Sequence, residues 1–377
     1  MYNMERYGMK KFGRILSLVV GIPSLMSSQE IDQIAEKNVF CKWQGKNASA
    51  SIDKGLVAKG SYLYWLAHEE GLEFTQLVNI RATFPEPIVA DVDLLEPSSK
   101  WNSGFQVGLG YIFPQRSQWD VLLNWTWFHS NANKSTVAND PTLTQQMLRP
   151  TWLPFLMGPQ AFDAAGRWTL KYDTLDLLLG RDLFLGKWLS IHPQAGIRGV
   201  HLHQNYRATY HGADNDGMGG LIPVGETFFH AKWTYNGIGT RFGTDVEWHI
   251  NSYFSVVANG FLSFFYGRYH VQELFSGAFP AGPGTILGES IYINRRYYRL
   301  RTALESELGI RLQKFFSNDT RRVVFGAYYG FAYWIRQNQM LNQFLELDTT
   351  GNSLITNLPT SGDLQLQGLR IELGVDF

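Results

Sequence analysis

The sequence predicts an all-β fold: a transmembrane antiparallel up-and-down β-barrel of about ten strands, with short periplasmic turns and long external loops. Three observations predict it. Apolar and polar residues alternate with period two over long segments, as extended strands require and helices do not. The 377 residues include 12 Trp, 18 Tyr, 25 Phe and 37 Gly, a composition that suits an aromatic-girdled β protein. Short and long connections also take turns along the chain.

Composition excludes some functions. With 33 basic and 33 acidic side chains, there is no electrostatic case for nucleic-acid binding. No stretch reaches the roughly 18 apolar residues of a spanning helix, which leaves a strand-built crossing untouched.

Residues 1–28 have a basic start (Arg6, Lys10, Lys11, Arg14), an apolar run from Ile15 to Met26, and small residues Ser27 and Ser28. This order is that of a signal peptide. Residues 29–55 are expected to form a periplasmic leader, and 56–377 the outer-membrane barrel. The lone Cys41 has no partner for an internal disulfide.

The first barrel segment, "SYLYWLAHEEGLEFTQLVNI", taken as one strand, gives the count of ten. Cutting it at "HEEG" gives twelve, with a further strand in 39–55. "WNSGFQVGLGYIF" follows, with Trp101, Phe105, Val107, Leu109, Tyr111 and Phe113 on one face. After the turn "PQRSQ" come Trp119, Val121, Leu123, Trp125 and Trp127, again on one face. Segments 166–181 and 187–209 are less regular: Leu175, Leu177 and Leu179 alternate, but parity slips from Arg198 to Val200, which reads as a bulge. Around "HINS" two strands meet, with Phe242, Val246 and Trp248 opposite Arg241, Asp245 and Glu247.

From Tyr298 to Leu312 one face is Leu-rich and the other carries Arg299, Arg301, Glu305, Glu307 and Arg311. The turn "SNDTRR" leads to "VVFGAYYGFAYWIRQ", with Arg336 on its polar parity. "LQLQGLRIELGVDF" closes, with Leu369, Ile371, Leu373, Val375 and Phe377 opposite Arg370, Glu372 and Asp376. Short connections (114–117, 182–186, 249–252, 314–320) interleave with long ones (81–99, 131–165, 210–227, 271–289, 338–363).

A secreted two-sheet sandwich would alternate as well, so the aromatics decide. Trp101 and Tyr111/Phe113 sit near opposite ends of one apolar face, about 25–30 Å apart along the membrane normal for a tilted strand. Lipid offers no hydrogen bonds to a backbone, so such strands must close into a ring.

The stretches "GSYLYWLAHEEGLEF", "WNSGFQVGLGYIFPQRSQWDVLLNWTWFHS", "QAGIRGVHLHQNYRATY" and "DVEWHINSYFSVVANGFLSFFYG", with the Phe-ended final strand, resemble the Legionella-type major outer membrane proteins, a pore-forming family also found in chlamydia-related bacteria. The resemblance implies a porin-like barrel with a role in host-cell contact, and supplies no catalytic residues. The terminal Phe377 looks like the signal by which barrels are handed to the barrel assembly machinery. Expected partners are outer-membrane lipid and that machinery, with a host-cell receptor and a homo-oligomer as candidates and no nucleic acid.

No phosphate loop, zinc-protease motif or nucleophile elbow occurs, so no enzyme, cofactor or metal is expected. His201 and His203 share a strand face without a third ligand, and read as a polar lumen or rim. Asp214, Asp216 and Gly217 supply only part of a calcium loop. The candidate pore lining is therefore Arg299, Arg301, Glu305, Glu307, Arg311, Arg336, Arg370, Glu372 and Asp376. A charged lining selects ions in an open lumen. In a closed one the same charges would be structural ion pairs, and the barrel an adhesin or structural element.

Overall fold

The computed structural model describes residues 55–81, 89–113, 119–138, 146–152, 160–186, 188–215, 221–282, 285–316, 321–347 and 353–377. The signal peptide, the leader with Cys41 up to residue 54, and Asp216 and Gly217 lie outside the described residues, while Gly55, expected in the leader, opens the first strand. The strands are β1(Gly55–Glu69), β2(Thr75–Arg81), β3(Val89–Leu95), β4(Trp101–Ile112), β5(Trp119–Val137), β6(Gln146–Pro150), β7(Gln160–Arg181), β8(Leu183–Phe184), β9(Leu189–Asn215), β10(Leu221–His249), β11(Phe254–Gly282), β12(Thr285–Phe316), β13(Arg321–Trp334), β14(Leu341–Leu347), β15(Ser353–Pro359) and β16(Leu364–Asp376). Ten of them close an antiparallel ring in the order β1, β4, β5, β7, β9, β10, β11, β12, β13, β16 and back to β1. Closure leaves no unpaired wall edge, which is what a bilayer demands.

The count of ten holds for a reason other than the expected one. The chain does break at "HEEG", but β2 leaves the wall and pairs only with β3 and β6 at the loop end. At the opposite end the connections are tight. Between β10 and β11 the Asn251 carboxamide oxygen accepts the amides of Tyr253 and Phe254, each at 2.8 Å, so one short side chain organises the turn.

The outward face shows the expected belt. Leu109, Leu123, Leu177, Ile197, Phe242, Leu308 and Leu373 are exposed between two sets of rings. On the loop side Tyr64 stacks on Trp101 at 5.3 Å and Tyr266 on Tyr298 at 5.6 Å; on the turn side Trp119, Trp188, Trp248 and Phe316 are exposed.

Two expectations need correction. Much of 131–165, 210–227 and 271–289 is strand, because β5, β7 and β9 to β12 run far past the outer rings. And there is no bulge at 198–200: β9 keeps register there with both neighbours, and the register shifts fall between Ala161 and Asp163, Pro223 and Gly225, and Pro280 and Gly282. What changes near Gly199 is polarity. Below it the outward Ile197 faces lipid and the inward Arg198 is charged; above it the outward His201 and His203 are polar and the inward Val200 and Leu202 are buried. Above the rings the barrel is built like a water-soluble one, with a largely apolar inside that holds a few buried polar groups such as Gln204 and Glu273.

Candidate functional site

The inward parity of the membrane-crossing half converges on a polar cavity of about 240 Å³. Its lining includes six basic side chains, eight acidic ones and two histidines, and reaches the turn end at Asp182, Phe184 and Arg322. Most strands contribute a charge one residue away from an outward neighbour, as Asp176 lies between the lipid-facing Leu175 and Leu177, while β4 and β11 contribute the neutral Gln106 and Asn259.

The charges are arranged as shared pairs. The Arg198 guanidinium donates to both Asp176 carboxylate oxygens and to Glu305, whose other oxygen accepts from Arg241 at 2.7 Å. On the opposite wall Arg370 donates to Glu307 at 2.6 Å and to Glu372, and lies 4.1 Å over the Tyr328 ring. Arg311 pairs with Glu247 and donates to the Tyr328 hydroxyl at 3.2 Å. Nearer the turns His192 meets Asp120 at 2.6 Å. Asp182, in the turn itself, is pushed above the usual carboxylate range by burial. Charges this poorly hydrated persist only when paired.

Five rings from five strands cap the cavity. Trp65 packs on Phe128 at 5.4 Å and on Tyr172 at 6.5 Å, Tyr172 meets Trp334 edge-on at 5.9 Å, and Phe265 stacks on Trp334 at 4.9 Å. The chain thus links β1, β5 and β7 to β13 and β11 across the lumen. Above this partition, segments from the loops fill the barrel. Phe74 is fully buried against Gly166, where a Cβ would stand 2.5 Å from its ring. Its carbonyl accepts from the Tyr210 hydroxyl at 2.5 Å, and the Leu72 carbonyl from Tyr206 at 3.0 Å. Trp152 stacks on Phe229 at 4.7 Å. From the β13–β14 connection, Gln337 accepts from Tyr269 at 2.7 Å, and the Leu341 amide donates to Glu273 at 2.8 Å. Burial raises Glu273, which lies well above the outer rings, to about 7.

The structure brings Glu305, Glu307, Arg311, Arg370 and Glu372 into the cavity. Asp376 pairs with Arg322 at 2.6 Å by its turn-end rim. The other three lie elsewhere. Arg301 is buried above the partition, donating to the Tyr269 hydroxyl at 2.8 Å. Arg299 is exposed beside Tyr297, where β12 has run past the end of β13. Arg336 is exposed in the turn after β13 with a φ of 56°, its amide donating to Asp363. His201 and His203 face outward, bonded to Asn236 and Thr234. Among the described residues no group of three or more His, Cys, Asp or Glu is placed to hold a metal. Asp176, Arg198, Arg241 and Asp245 are cavity residues beyond the sequence-based set. Parity exposes them as inward charges; their partners lie on strands far away in sequence.

A closed ring of ten antiparallel strands, apolar outside and charged within, with aromatic rings at both edges of the apolar band, defines an outer-membrane β-barrel. The chain belongs to the family of the Legionella pneumophila major outer membrane protein precursor, whose sequence pattern residues 51–377 match. No curated protein matches the chain. Among solved structures it is similar to the outer membrane protease OmpT from Escherichia coli, at 10% identity over 86% of this chain and 96% of that one, with a TM-score of 0.35. It is also similar to a Pseudomonas aeruginosa FadL homologue, at 8% identity over 88% and 92% with a TM-score of 0.27, and to the P. putida toluene transporter TodX, at 7% over 86% and 90% with a TM-score of 0.24. Scores this low carry no argument about what this chain does.

Proposed function

We propose that this outer-membrane barrel is a porin-like pore for ions or small solutes, gated by the aromatic partition. The observation that carries the reading is the charge-lined cavity, which runs from the turn end to Trp65 and Tyr172. A lumen meant only to be filled has no need of so many charges, since well-packed apolar residues close a narrow barrel at no electrostatic cost. Conduction requires that Trp334 and its neighbours part, so the pore is gated rather than permanently open. A second reading, a closed structural or adhesive barrel, is favoured by the same five rings and by the loop segments packed above them.

Planar-bilayer recording of the refolded protein and of Trp334→Ala separates the two. The pore reading expects brief unitary steps in the wild type and longer openings in the variant. The openings should prefer cations, because eight acidic side chains face six basic ones, and a charged lining selects ions by its field. Silence from both correctly inserted proteins would overturn the pore and leave the closed barrel.

A further inference from the structure

The outward face of β7 and β9 to β12 changes character abruptly at the outer rings. Following the hydrogen-bonded register, one row across the wall reads Trp125, Leu175, Gly199, Ile238, Tyr266 and Leu300. At Gly199 the missing side chain leaves a shallow groove walled by Leu175, Ile238 and Tyr266; an added Cβ there would meet only the Leu175 carbonyl oxygen, at 3.9 Å. This slot lies in the upper edge of the lipid-facing belt.

Over the three rows above it the wall carries an excess of basic side chains. In the next rows Lys171, Lys232, Arg268 and Arg296 are all exposed, and none makes an ion pair among the described residues. Asp173 is the one acidic side chain in the three rows above the groove. His203 and His230 stand among these cations, and are held below the ordinary imidazole range first by burial and then by Lys171, Lys232 and Arg207. Lys and Arg therefore carry the positive charge of these rows, with Asn236 as a neutral polar group among them.

Four cations against the single carboxylate of Asp173, which stands at the groove's upper lip, leave an excess of positive charge over an apolar slot and are complementary to an amphiphile with an anionic head and hydrocarbon tails. We propose that this face is a binding site for a phosphorylated, multiply acylated lipid of the outer leaflet, its phosphates on Lys171, Lys232, Arg268 and Arg296 and one acyl chain over Gly199. The site lies outside the barrel and does not depend on whether the lumen conducts.

The probe is diphosphorylated lipid A, offered to the refolded full-length protein in phosphatidylcholine nanodiscs, with retention read by native mass spectrometry after transfer to detergent. Lys171→Gln/Arg268→Gln/Arg296→Gln should weaken retention roughly a hundredfold, with heat-modifiable migration unchanged. Gly199→Leu should weaken it with every cation in place, and the dephosphorylated lipid should not be retained by the wild type. If the triple variant fails to insert, Lys171→Gln and Arg268→Gln are read singly. Retention that ignores the cation variants would overturn the site. So would equal binding of free pyrophosphate that ignores Gly199→Leu, which marks a phosphate site without a lipid. Loss of a dimer in the triple variant, with lipid retention unchanged, would assign the face to a second copy instead.

Discussion

Arg198 shows how much one side chain organises. It is about 3% exposed and holds Asp176 on β7 and Glu305 on β12 from its place on β9, so it ties three strands across the lumen. Removing it leaves two carboxylates facing each other, with only Arg241 to neutralise them. Arg198→Met should therefore cost on the order of 3–5 kcal/mol. The triple change Arg198→Met/Asp176→Leu/Glu305→Leu, which removes the charges together, should cost much less, although it leaves Arg241 with less to bind. Denaturant unfolding in detergent, followed by heat-modifiable migration, measures both. A triple variant no more stable than the single one would show that volume, and not charge pairing, is what Arg198 supplies. Gly166 acts at the same scale by an absence: an added Cβ would stand 2.5 Å from the Phe74 ring, so the position has room for glycine alone while Phe74 keeps its place.

The elements were legible from period-two alternation wherever one face met lipid throughout. β4, β12 below Tyr298, β13 and β16 follow the sequence pattern because lipid outside and charge inside fix opposite polarities on the two parities. β9 did not, because it crosses the outer rings partway along, and its two faces exchange polarity at Gly199. A pattern that inverts looks like a slip of register, although none occurs. The cavity was half legible for a related reason: parity points Glu305 and Arg370 inward, but cannot say how high on the wall a residue sits. Arg301 and Arg299 have the right parity and lie above the partition.

The β13–β14 connection adds a pH dependence at this scale. Glu273 accepts the Leu341 amide through one oxygen, while its other oxygen is buried without a hydrogen-bond partner. Burial raises its pKa from 4.5 to about 7. A carboxyl whose pKa is raised by docking binds its proton more tightly in the docked state. Docking of the connection is thus strongest below about pH 4.5, weakens as pH rises toward 7, and is constant above, with a span of about 3 kcal/mol. Hydrogen exchange of the 337–341 amides, corrected for intrinsic rates, should show more protection at pH 5 than at pH 8 in the wild type and equal protection in Glu273→Gln. Equal protection in the wild type would remove the linkage.

For the whole molecule, the same wall is inside-out in one half and ordinary in the other, and the boundary is set by where the outward face stops meeting lipid. β12 records this along a single strand of 32 residues, about three times what a bilayer crossing needs. Its outward residues Leu312, Leu308, Leu304 and Leu300 are exposed and apolar, then come Tyr298 at the outer ring, Arg296 and Asn294. Its inward residues run the other way, from Arg311, Glu307 and Glu305 to Ala303, which is fully buried in the outer core, and the one inward charge beyond it in β12's buried stretch, Arg301, is held by the Tyr269 hydroxyl and ring. A bilayer penalises an outward arginine by depth, about 2–4 kcal/mol at the midplane and about 0–1 kcal/mol near the interface. Leu308→Arg and Leu304→Arg should therefore show the full penalty, Leu300→Arg a reduced one, and Asn294→Arg none. On the inward face the gradient reverses, since a charge at Ala303 would be buried among rings without a partner, whereas at Glu307 one is already held by Arg370. Folding free energies in lipid vesicles across this series locate the membrane on the barrel independently of any loop. A uniform cost along β12, or a maximum at Asn294, would mean that the exposed leucines do not face lipid and that the inverted half has been placed at the wrong end.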